Sequence, residues 1–326
     1  NTAIGYASLG ANTTGANNVA VGSLALDENT TGTQNTAVGS LALDSNTTAS
    51  ENTAIGYEAL SGTTTGASNT AVGHQCGTNN STGTRNVAVG NTTLFYNTTG
   101  SDNTALGRGA LTANTTASNN TAVGKDSLKA NTTASNLTAV GFNALNANTT
   151  GTGNVAVGYL SLDANTTGTS NTAVGTQALT DSVTGVNNTA IGNAALANST
   201  GNNNTAVGRR ALQDSTASQC TAVGSSALAD NTTGADNVAM GLNAMLNNTT
   251  GSECVGIGTA SLNDNTTGSS NVALGRDALR SNTTASNNTA LGHDSLRSNT
   301  TGASNTAVGA LALDANTTGN FNDAFG

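Results

Sequence analysis

A glycine recurs every seventeen residues along the chain, at positions 5, 22, 39, 56, 73, 90, 107, 124, 141, 158, 175, 192, 208, 224, 241, 258, 275, 292, 309 and 326, and only the steps 192–208 and 208–224 are 16. The unit around it reads N-T-A-V-G-x-x-A-L-x-x-N-T-T-G-x-x, which defines coil positions 1 to 17. A period this short excludes helix-pair repeats, which need roughly thirty residues or more. A leucine-rich repeat would carry several Leu per unit where this one carries one. The β-branched N-T-A-V stretch, punctuated by Gly at positions 5 and 15, favours short strands. Stacked at an inter-strand spacing of about 4.8 Å, nineteen such coils make a rod roughly 90 Å long. The predicted fold is therefore all-β: a parallel β-solenoid, or β-roll, forming one repetitive domain over residues 1–326. It comprises nineteen coils and a terminal stub, and reads as a segment of a longer chain or filament.

Composition supports the repeat reading. With 2% aromatic residues and no Trp, the chain cannot build a broad globular core. Its strict repetition argues against disorder. The net charge of -9 comes without basic stripes, so nucleic acid is not an expected partner. Three Cys are no disulfide framework. No run of eighteen apolar residues occurs, so no membrane span is expected in this segment. The chain starts at Asn1 inside a repeat with no visible signal peptide, and the expectation is a mature product or part of something longer.

In a solenoid each coil position becomes a column. Position 5, represented by Gly39 and Gly124, is Gly in all twenty occurrences, which calls for a positive φ or a close backbone approach. Position 4 is always apolar, as at Val38, Val72, Val123 and, in the stub, Phe325. Position 3 is Ala except at Gly256, and position 9 is Leu, as at Leu43 and Leu111, except at Gly77 and Met245. All nine Lys and Arg sit at positions 6, 7, 10 or 17, and seventeen of the eighteen acids at 7, 10, 11 or 17, Asp323 being the exception. Positions 1–5, 8, 9 and 12–15 are thus expected to be buried, laddered or covered by a partner. The two short coils are read as losing a residue at positions 10–11, between Leu196 and Asn198 and between Leu212 and Ser215, which marks an outward turn.

Successive strand residues point to opposite faces. Positions 3 and 4 are both apolar, so the strand reads as buried on both sides, yet a thin solenoid has one interior. The face of positions 2 and 4 should then form an apolar stripe, and a long stripe marks an interface. Lateral association into a homo-oligomer or bundle follows. Asn at position 1, as at Asn35, Asn52 and Asn103, and at position 12, as at Asn29, Asn46 and Asn114, is expected to ladder from coil to coil or to cap turns. N-T-T is also a glycosylation acceptor sequence, but a laddered, inward Asn could not carry a glycan.

The unit N-V-A-V-G-x-x-A, seen at 18–25 and, closed by Ser161, at 154–161, resembles the head repeat of trimeric autotransporter adhesins. The form N-T-A-I-G-Y-x-A-L, seen from Asn52, is similar to repeats of phage tail-fibre-like and bacterial surface-fibre proteins. The resemblance covers the whole chain, whose coil is longer than that of the adhesin head, the added residues falling in N-T-T-G. It implies a left-handed β-roll whose coils pack with others around a common axis.

No convergent set of titratable groups suggests catalysis. His74 and His293 both occupy outward position 6, about a dozen coils apart, and pairs such as Asp27 with Glu28 sit at turns. There is no phosphate-binding loop, Cys/His metal spacing or repeated Asp motif. The expectation is no catalytic residue, no cofactor and no metal. The resulting reading is a structural fibre or filament subunit, extracellular, at a cell surface or in a virion fibre. Its partner would be itself, with multivalent adhesion to a surface or glycan ligand open to it. Alternatives are a phage tail-fibre shaft and an ice-binding solenoid using the Thr columns at positions 13 and 14. Because the first coil and the coil from Asn305 match the consensus, open strand edges imply either capping domains outside this segment or, the favoured reading, end-to-end joining into a filament with Phe325 filling the position-4 column at the junction.

Overall fold

The computed structural model describes all residues from Asn1 to Gly326. The chain divides into two compact units, Asn1–Thr167 and Gly168–Gly326. The first holds ten strands, from β1 (Thr2–Ile4) to β10 (Val155–Val157), and the second ten more, from β11 (Thr172–Val174) to β20 (Asp323–Phe325). Every strand is three residues long, occupies coil positions 2–4 and pairs parallel with its neighbour inside the unit. The register is in step: Thr36 lies opposite Thr53, Ala37 opposite Ala54 and Val38 opposite Ile55. Each unit is a parallel β-solenoid, as the period predicts, and no helix occurs in either.

Strands alone account for three residues in seventeen, yet the coils are paired nearly throughout. Thr36 N–H donates to the Asn52 carbonyl at 2.8 Å and Gly56 N–H to the Val38 carbonyl at 2.8 Å, extending the ladder past both strand ends. Leu26 N–H donates to the Ala42 carbonyl at 3.0 Å, and Thr30 N–H to the Thr47 carbonyl at 2.9 Å, so the two other sides of the coil are laddered as well. Backbone groups that a narrow, Gly-rich coil would otherwise leave buried and unpaired thus find partners in the next coil. Each repeat needs only its neighbours for this, as in other solenoids.

The core is narrow and almost entirely Ala and Leu. Ala37, Ala42 and Leu43, at positions 3, 8 and 9, are completely buried, and the same three columns recur coil after coil. Positions 8 and 9 are neighbours, yet both point inward, which an extended strand forbids. The backbone resolves this with left-handed residues at positions 7 and 9, where Leu41 and Leu43 have φ of 59° and 53°. A bulky residue rarely occupies that region. Position 5 is stricter. Gly39 and Gly124 have φ of 140° and 132°, and a Cβ on either would land on the carbonyl of Gly56 or Gly141 in the next coil.

The short coils differ from the sequence expectation. Asn198 N–H donates to the Gln213 carbonyl at 2.8 Å, as Glu28 does to Asp44 from position 11, and Ser199 N–H donates to Leu196 at 3.3 Å, as Asn29 does to Leu26 from position 12. Ser199 and Ser215 are buried in the position-12 column, where Asn231 Nδ2 donates to Ser215 Oγ at 3.2 Å. The missing residue is therefore at position 14, not at positions 10–11. Position 12 must be filled because it faces the interior, whereas position 14 faces water, as at Thr31 and Thr48. Losing an exposed residue opens no cavity.

Candidate interaction surface on the strand face

Alternation along each strand separates an inner from an outer set of side chains. Around β7 (Thr104–Leu106), Asn103 and Ala105 are fully buried, while Asp102, Thr104, Leu106 and Arg108 are exposed. These four occupy coil positions 17, 2, 4 and 6. Within one chain the strand is thus buried on one side only. Val38 is 36% exposed, Val72 and Val123 are half-buried, and Ile55, Leu106, Ile191 and Leu291 are 41–45% exposed. Phe325 sits in the same position-4 column, opposite Val308, and is exposed. An apolar column with β-branched or Thr side chains beside it therefore lies on the surface of each unit. Reading positions 2 and 4 alone missed its two margins. The signal was available: positions 17 and 6 continue the period-two alternation and carry charge.

The Asn columns hold the coil beneath this face. At position 1 the side-chain oxygen of one Asn accepts the backbone N–H of the next. Asn35 N–H donates to Asn18 Oδ1 at 2.9 Å, Asn52 to Asn35 at 3.0 Å, and Asn103 to Asn86 at 3.0 Å. The Asn35 amide nitrogen in turn donates to the Ala49 carbonyl at position 15, 2.8 Å away, so one side chain ties two sides of the coil together. At position 12 the side chains bond to one another, as Asn46 Nδ2 to Asn29 Oδ1 at 2.8 Å and Asn114 Nδ2 to Asn97 Oδ1 at 2.7 Å. All are buried, with no room for a glycan. Cys220 and Cys254 replace Asn at position 1, and their thiols point at the Gly234 and Gly268 carbonyls at 3.3 and 3.4 Å. All three Cys are free and buried. Burial pushes the Cys76 thiol up to about 12 and raises the other two.

The position-12 ladder has a break. Thr63 stands where Asn46 and Asn80 would find a partner, and Asn46 Oδ1 and Thr63 Oγ1 are both buried without a hydrogen bond. The two Thr columns that follow are not equivalent. Position-13 hydroxyls donate to the backbone of the next coil, as Thr30 to the Thr47 carbonyl at 3.0 Å and Thr98 to the Thr115 carbonyl at 3.0 Å. Position 14 is the exposed one.

Charged and aromatic side chains form short runs between adjacent coils on the outer surface. Arg85 grips Asp102 through two bonds of 2.6 and 2.8 Å, and this guanidinium holds the Asp102 carboxyl below its usual range. Lys125 and Lys129 flank Asp126 at 3.6 and 3.3 Å, and Arg276 and Arg280 flank Asp277 at 3.6 and 3.3 Å. Tyr57 stacks with His74 at 5.4 Å, and Phe142 with Tyr159 at 5.5 Å, with the Lys125 ammonium 5.2 Å from the Phe142 ring. His293 lies against Arg276 and Asp294. Phe95 and Tyr96 meet edge to face at 4.8 Å on the outer turn. Hydrogen bonds from Gln75 and Tyr57 lower the Glu58 carboxyl. Each group leans on its counterpart one coil away or on a residue of its own turn, which is how a column of side chains on a repeating backbone satisfies itself.

No family model matches the chain, and no curated protein matches it.

Proposed function

We propose that the chain is a structural subunit that self-associates through the outward strand face and builds an extracellular fibre or bundle. The observation that carries this reading is the position-4 column. Ile55, Leu106, Ile191, Met240 and Leu291 stay 40–45% exposed in a chain whose inner core is Ala and Leu. Soluble surfaces rarely leave a contiguous apolar patch uncovered. The strand face also repeats at the inter-strand spacing, so a second copy meets it with the same period. The role is mechanical rather than catalytic. Backbone ladders carry load along each unit, and the variable outer positions decorate the surface, where weak contacts repeated coil after coil give avidity to any surface or glycan ligand.

The water-ordering reading receives less support from the Thr columns, because the position-13 hydroxyls are committed to neighbouring carbonyls. A phage fibre shaft would share the same association chemistry. Imaging of native, unfragmented material tests the proposal. Laterally thickened fibres or bundles at the cell or virion surface are the expected result, and dispersed single chains there would contradict it.

A further inference from the structure

The exposed strand face is polar at its margins, and the two margins are unlike. Column 17 bears acids, among them Glu51, Asp102 and Asp236, and its single cation, Arg85, is bound to Asp102. Column 6 bears cations, among them Arg108, Lys125 and Arg276, and has no acid in any coil. Acids at position 7 such as Asp126 and Asp277 lie beside column 6, but their side chains are 18% and 14% exposed against 49% and 61% for Lys125 and Arg276, so the cations are outermost. Most coils carry an uncharged residue at one or both margins, and one outward face carries an acid and a base together. That face is Asp102, Thr104, Leu106, Arg108, where all four are exposed, Asp102 is paired with Arg85 of the preceding coil, and Arg108 takes part in none of the ion pairs within the chain.

A face with unlike margins constrains how two copies meet. If the two solenoid axes point the same way, related by a two-fold axis parallel to them, the facing strands run in opposite directions and column 17 of each copy lies opposite column 6 of the other. If the axes point opposite ways, column 17 meets column 17 and column 6 meets column 6, and like charges face each other. Like-charge juxtaposition disfavours wrong arrangements, and opposite charges fix register. From this we infer that the first units of two copies associate face to face with their axes parallel, in coil register, so that Asp102 of each copy meets Arg108 of the other around paired Leu106 side chains. A two-fold contact is self-complementary, so the pair forms twice. This inference rests on the self-association proposed above and adds its orientation.

The test uses the full chain with Asp102→Cys or Arg108→Cys, both exposed sites, and a short bis-maleimide spanning roughly 10 Å, the usual face-to-face sheet separation. The native thiols are buried and serve as a silent background. Sedimentation first establishes whether each variant associates. The expected result is a cross-linked dimer from the mixture of the two variants and little from either alone. A dimer from D102C alone, or from R108C alone, overturns the parallel arrangement while leaving self-association intact. An associating chain that cross-links in no combination overturns the coil register. A wild-type chain that sediments as a folded monomer overturns both this inference and the proposal beneath it. In addition, Arg108→Asp should weaken association on the order of tenfold at low salt, and mixing it with Asp102→Arg should restore binding, both effects shrinking as salt rises.

Discussion

The residue that says most about this coil is Asn rather than any apolar side chain. Buried Asn normally costs stability unless every donor and acceptor is matched. Here position 1 matches a side-chain oxygen to the next backbone N–H and the amide nitrogen to position 15, and position 12 runs amide to amide. Thr63 shows what a mismatch leaves behind, two buried oxygens without partners, one its own and one on Asn46. Thr63→Asn should therefore stabilise the first unit. The new amide would donate to Asn46 Oδ1 and accept from Asn80, removing a penalty of about 1–3 kcal/mol. Thermal unfolding of the variant beside wild type checks this, and an unchanged or lower midpoint would show that the ladder carries no net stability. The glycine at position 5 and the Asn columns could be read directly from the sequence, because each demands one residue type. The left-handed Leu at position 9 could not. Its side chain is dictated by the core it fills, and burial overrides the preference that would otherwise have placed Gly or Asn there.

At the scale of the element, the coil is a packing problem with one large residue. Leu from position 9 fills the space left by Ala at positions 3 and 8, and two departures from this scheme compensate one another. Met245 replaces Leu, and in the following coil Gly256 replaces Ala. A Cβ on Gly256 would approach Met245 Cγ to 2.8 Å and its sulfur to 3.1 Å. Gly256→Ala alone should cost about 1–3 kcal/mol through overpacking. The same change in a Met245→Leu background should cost much less, giving a coupling energy of about 0.5 kcal/mol or more in a double-mutant cycle. Additive effects would mean the two exceptions are unrelated. The position of the deleted residue belongs to this scale too. N-S-T-G in the short coil reads as a copy of N-T-T-G, and sequence matching places the gap at the variable turn. Hydrogen bonding places it at position 14, because Ser199 and Ser215 are drawn inward to fill the buried column. Sequence similarity compares letters, whereas burial decides which site can be emptied.

On the scale of the whole molecule, both units repeat one design: an inner Ala/Leu core, Asn-tied corners and an outer strand face that a single chain leaves partly uncovered. Where charges fall marks some of the columns that face water but not all of them, because position 14, as at Thr31 and Thr48, is exposed and carries no charge. That two adjacent columns are both apolar pointed further, to a face that a single chain would leave open. Charge at positions 17 and 6 reads as ordinary surface decoration in the sequence, whereas the alternation of exposure places it in line with positions 2 and 4. Sedimentation equilibrium of the intact chain across nanomolar to micromolar concentration reads self-association through this face. Wild type is expected to be a concentration-dependent oligomer. For the chain carrying Val38→Asp, Val72→Asp and Val123→Asp, a folded monomer or loss of folding is expected, while Lys129→Ser, on the outer turn away from this face, changes stability by less than about 0.5 kcal/mol. A wild-type chain that remains a well-folded monomer throughout that range would contradict self-association.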